Sequence, residues 1–104
     1  MPDTIAASLQ LPQELTYRQA RECLMRLRPL VQGAVGQRVQ IDASAVQVFD
    51  SSALAVLLAL RRAALEVKKQ LLVLGLPAGL QSMAALYGIQ DLLNEANLQT
   101  SPAA

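Results

Sequence analysis

Two short segments with the two-residue period of a strand and one short apolar run alternate along this chain with three longer segments carrying a helical stripe, and this alternation constrains the fold most. Ile5, Ala7, Leu9 and Leu11 alternate with Ala6, Ser8 and Gln10 up to Pro12, which predicts a first strand with one face buried. Thr16 and Gln19 have the spacing of a capping box, and Ala20, Cys23, Leu24, Leu27, Leu30 and Val31 recur behind them on one face. A helix is expected from Thr16 into the low thirties. Pro29 removes one backbone donor from it, which predicts a kink or an early end near Leu27. Val39, Ile41 and Ala43 alternate with Gln40 and Asp42 to give a second strand, and a connection follows with Val46, Val48 and Phe49 as apolar anchors.

A second helix should open at Ser51 or Ser52, because Ala53, Val56, Leu57, Leu60, Ala63, Ala64 and Val67 form a continuous stripe. Leu71-Leu72-Val73-Leu74, bounded by Gly75 and Pro77, reads as a strand buried on both faces. Pro77 suits the first turn of a third helix, with Leu80, Met83, Ala84, Leu86 and Tyr87 on its apolar side. Gly88 and Ile89 fit a left-handed helix ending of the Schellman type. Strands separated by helices of this length pair in parallel through crossovers. The expected fold class is therefore α/β: a single domain over residues 1–97 with a mostly parallel or mixed central sheet and helices packed on it, and a flexible tail over 98–104.

Composition narrows the function. With 104 residues the chain can build one core, and 53% hydrophobic against 3% aromatic residues makes that core aliphatic. A net charge of +1 gives no global excess to drive nucleic-acid binding, and the absence of His removes the commonest general base and metal ligand. The five glycines are scattered, so no phosphate-cradling or dinucleotide fingerprint is present, and no metal or cofactor is expected. Asp42 and Asp50 are the only carboxylates placed to pair for acid–base work, and nothing near them reads as a nucleophile. Catalysis is not expected. Cys23 reads as a small buried residue. The first four residues lack the charged start of a secretory signal, and the longest apolar run, Ala53 to Leu60, is far short of the ~20 residues that span a bilayer. A cytoplasmic protein without a membrane span is the expectation.

Phe49-Asp50-Ser51-Ser52-Ala53-Leu54 gathers a carboxylate and two hydroxyls at one helix start, where free N–H groups and the macrodipole favour an acceptor. Asp50 or Ser51 could simply cap the helix, supported by Ser52. Alternatively, Ser51 or Ser52 accepts a phosphate, which would add about −1.5 to −2 charges beside Asp50 and change the surface without melting the helix. On a helical wheel Leu54, Leu58 and Leu65 fall together outside the main stripe, flanked by Arg61, Arg62 and Lys69 and adjacent to Ser51. Either the other helices cover these leucines or they form a docking surface for another protein. Leu54, at the edge of the stripe, fits both. Arg18, Glu22 and Arg26 have the spacing of a solvated ion-pair face.

Val39-Gln40-Ile41-Asp42-Ala43-Ser44, the run from Phe49 to Leu58, Val73-Leu74-Gly75-Leu76-Pro77 and Leu86-Tyr87-Gly88-Ile89 together resemble the STAS domain, the sulfate-transporter and anti-sigma-factor-antagonist family. The resemblance is good over roughly residues 37–93 and loose before them. It implies that Ser51 matches the serine that is phosphorylated in the anti-sigma antagonists. The family pattern usually has Gly where this chain has Ala53, and an additional strand before the first one here. Within the family the chain is most similar to the MlaB-like subunits of phospholipid-transport ABC systems. That implies a non-catalytic protein on the cytoplasmic ATPase subunit, at the inner-membrane transporter complex. Ser51, Leu54, Leu58, Arg61, Arg62 and Leu65 would then face the partner. The alternative implied partner is an anti-sigma factor kinase. An edge strand left open by the short amino terminus would also support weak homodimerisation.

Overall fold

The computed structural model describes residues 5–93, in the order β1 (Ile5–Gln10), β2 (Glu14–Leu15), α1 (Tyr17–Gly33), β3 (Arg38–Asp42), β4 (Val48–Phe49), α2 (Ser51–Glu66), β5 (Gln70–Leu74), α3 (Ala78–Leu86) and α4 (Gln90–Leu93). The expected domain limit near residue 97, the tail after it and the first four residues lie outside the described residues. β1, β3 and β5 form a parallel sheet in that order, with Leu9 opposite Ile41 and Ile41 opposite Val73. Order along the sheet follows order along the chain, so two right-handed crossovers place α1 and α2 on the same face. The burial pattern agrees. Val39 and Ile41 are buried, whereas Arg38, Gln40 and Asp42, on the alternate face, are half-buried. That far face carries polar pairs, in which Gln40 Nε2 donates to Ser8 Oγ at 3.2 Å and Arg38 Nε donates to Gln70 Oε1 at 3.1 Å, beside Leu72 and Leu74 of β5.

One-sided covering corrects one expectation. β5 is not buried on both faces: Leu71 is buried, Leu72 and Val73 are half-buried and Leu74 is exposed. It forms a sheet edge, and a four-residue apolar run cannot distinguish an edge strand from a central one. β2 and β4, two residues each, make a separate parallel pair, Glu14 with Val48 and Leu15 with Phe49. No periodicity exists at that length, so neither strand was expected. Val46 and Phe49 anchor the connection as predicted, but Val48 is exposed.

α1 opens with the expected capping box. Thr16 Oγ1 accepts from Arg18 N at 3.2 Å, and Gln19 Oε1 accepts from Thr16 N at 2.9 Å. The helix does not end near Leu27 but runs through Pro29 to Gly33. Pro29 lies on the exposed side, where water can satisfy the carbonyl that loses its partner. Leu30, placed in the core stripe by spacing, is likewise exposed. α2 stops at Glu66, and Val67, the last member of its predicted stripe, is an exposed cap residue. α3 ends as expected: Gly88 has φ of +71°, Ile89 N donates to Ala84 O at 2.9 Å and Gly88 N to Ala85 O at 3.1 Å. Only Leu80 and Ala84 of α3 are buried, whereas Leu86 is 84% exposed and Tyr87 is also exposed. A nine-residue helix at the periphery meets the core along one narrow line, which leaves its last turn outside. α4, not foreseen in the sequence, adds Leu93 to the single aliphatic core. Cys23 sits in that core, and its burial pushes the thiol pKa up.

Candidate functional site

α1 and α2 begin side by side because the short β2–β4 pair precedes both. Gln47 N and Val48 N donate to Gln13 O, at 2.8 and 3.1 Å, and Gln13 Nε2 donates to Gln47 Oε1 at 2.7 Å, which ties the two approaching segments together. Asp50 then serves both helices. Its Oδ1 accepts from Ser52 N at 2.8 Å as the cap of α2, and its Oδ2 accepts from Tyr17 N, the first residue of α1, at 3.1 Å. The Tyr17 N–H and then the Ser52 donors hold the Asp50 carboxyl below its usual value.

The capping reading of the Asp-Ser-Ser segment holds. Asp50 is the cap and Ser52, half-buried, supplies the capped N–H, whereas Ser51 occupies the first helical position with its residue exposed. Asp42 does not pair with Asp50 for acid–base work. Its Oδ1 accepts from the Ser44 hydroxyl at 2.6 Å and from Ser44 N at 2.9 Å. The Ser44 hydroxyl, then its N–H, lowers the Asp42 pKa. Each carboxylate is thus committed to its own turn or cap and stays ionised near neutral pH. Among the described residues no group of three or more His, Cys, Asp and Glu could hold a metal ion.

The wheel reading of α2 needs one correction. Leu54 is 2% exposed and belongs to the core, so it does not face a partner. α2 meets the sheet, α1, α3 and α4, and Leu54 of its first turn joins the core they share. A wheel with one buried face cannot represent such a helix. Leu58 is half-buried and packs against the core, Leu65 is 49% exposed, Arg62 is exposed and Arg61 is half-buried on the inner side of the stripe. The solvent-facing line of α2 is Ser51, Ala55, Arg62 and Leu65, all exposed, with the half-buried Leu58 between Ala55 and Arg62, at alternating intervals of four and three. Ala55 was missed: alanine gives no signal of exposure, and only the 51-55-58-62-65 spacing could have flagged it.

α1 runs parallel to α2 along the other flank. Arg28 Nη2 lies 3.5 Å from Glu66 Oε1, and Gln32 Nε2 donates to Glu66 Oε1 at 2.9 Å and to Ala63 O at 3.2 Å. Tyr17, Arg18, Arg21 and Met25 are exposed on α1, and the Arg18 guanidinium stands 5.7 Å from the Tyr17 ring centroid. No helix among the described residues is long and apolar enough to cross a membrane.

Residues 3–94 match the family model described as Mlab, STAS domain, which covers almost all of the folded unit. No curated protein matches the chain. The strand–helix order, the Asp50-capped α2 and the family match agree with one another, and the chain belongs to the STAS domain family, in its MlaB-like branch.

Proposed function

We propose that this chain is a non-catalytic accessory subunit that binds the cytoplasmic ATPase of a phospholipid-transport ABC system and supports its assembly or activity. The observation that carries the reading is the solvent-facing line of α2. Ser51, Ala55, Leu58, Arg62 and Leu65 run continuously from the Asp50 cap, and combine aliphatic area with a cation. Exposed aliphatic residues aligned on a rigid helix gain free energy when a partner excludes water from them. Arg61 borders this line from its inner side.

A second reading rests on Ser51 itself. An exposed hydroxyl at the first helical position suits a phosphoacceptor, because added negative charge is favoured at that end of the dipole. In that reading the chain is an anti-sigma-factor antagonist switched by a kinase. Affinity capture from the native cell separates the two. Recovery of an ABC ATPase supports the transporter reading, whereas recovery of a histidine-kinase-like anti-sigma factor without any ABC ATPase would sink it. Leu58 packs partly into the core, so the surface is better probed at Leu65. Ser51→Asp and Leu65→Asp should each weaken ATPase binding by about tenfold with the thermal midpoint unchanged; unchanged affinity in both would remove this interface.

A further inference from the structure

The seam between α1 and α2 is a groove. Leu24 and Arg28 of α1 and Ala59, Arg62, Ala63 and Glu66 of α2 line a cavity of about 280 Å³. It continues into a second depression formed by Ala55, Leu58, Ala59 and Arg62. The floor is alanine and leucine. One end is closed where Gln32 and Arg28 engage Glu66, and the second depression reaches Ala55. The charged residues of the lining are Arg28, Arg62 and Glu66, and Arg21 stands exposed on α1, three positions before the lining residue Leu24 and so on the same side of the helix. Arg21 and Arg62 have no ion pair among the described residues, and Glu66 is already taken up by Arg28 and Gln32.

We infer that this groove receives an acidic, apolar-anchored segment of the protein partner. A small aliphatic side chain fills the alanine-floored depression, and flanking Asp or Glu residues meet Arg62 and Arg21. Guanidinium groups favour carboxylates because two parallel N–H donors match two oxygens. The concave shape argues against a lipid surface, which needs a projecting apolar face. A nucleic-acid backbone would leave the dry floor unfilled. The inference rests on α2 being the partner-facing helix and adds the chemistry of what binds there.

The test uses the isotope-labelled full chain, titrated in parallel with three probes: an amphipathic helical peptide of Glu and Leu, its Lys and Leu counterpart, and phosphatidylglycerol vesicles. The acidic peptide should shift amide resonances in residues 21–28 and 55–66, and the other two probes should not. Arg62→Glu and Ala55→Leu, which change exposed positions, should weaken the acidic peptide at least fivefold. Lys68→Glu makes the same charge change away from the groove and should leave binding unaltered. Equal response to the basic peptide, a stronger response to vesicles, or no effect of Arg62→Glu and Ala55→Leu would overturn the proposal. An ATPase that binds wild type and both groove variants equally would overturn the groove and spare the accessory-subunit reading. Absence of any ATPase partner, with the peptide response intact, would do the reverse.

Discussion

Asp50 is the residue on which the candidate site turns, because one carboxylate caps α2 and also holds the first N–H of α1. Its cap role follows from the local run Asp-Ser-Ser before a helical stripe. Its bond to Tyr17, 33 positions away in sequence, does not, since no local pattern records which other helix start will lie beside it. The bond has a pH consequence. A carboxyl whose folded pKa is lowered contributes stability that is complete above its unfolded value, ordinarily near 3.8, and is lost as pH falls through the folded value. The wild type should therefore lose stability relative to Asp50→Asn as pH falls from 5 to below 3.8, with the two urea midpoints converging. A constant difference across that range would show that the charge of Asp50 plays no part. Asp42, lowered by Ser44, adds to the same acid limb and remains in both proteins.

The ends of elements decide how α2 and α3 are delivered to the site. Gly75, at the exit of β5, has φ of +69°, and a Cβ built on it would lie 2.9 Å from Ser44 Cβ. Gly88 has nearly the same φ but open space around it. Gly88→Ala should cost about 1 kcal/mol, from backbone strain alone, and Gly75→Ala distinctly more, because Ser44 must also move. Chemical denaturation of both variants measures the difference, and equal losses would refute the steric part. The glycine after α3 was legible as a Schellman ending because that motif is local. The closeness of Gly75 to Ser44 was not, because it arises where the β5 exit passes the turn after β3. β2 and β4 were hidden for a related reason: a two-residue strand is defined by its partner, not by its own pattern.

Across the whole molecule the same aliphatic composition serves a core and a surface, and the two uses differ in energy. Leu57, fully buried, should lose about 2–5 kcal/mol on truncation to Ala, whereas the exposed Leu65→Ala should stay within about 0.5 kcal/mol in the isolated chain. Urea titrations of both variants check this, and a large loss at Leu65 would place it in the core. Sequence alone determined the alternation of strands and helices, the parallel α/β class, the capped start of α2 and the absence of histidine, because each depends on residue type or local spacing. Tertiary structure decided that Leu54 is core, that β5 is an edge, that α1 flanks α2 and that Ala55 belongs to the exposed line. Those outcomes depend on how many neighbours enclose a helix or strand. The two-residue and helical periods record that an element has a buried side, but not how wide that side is once other elements have packed against it.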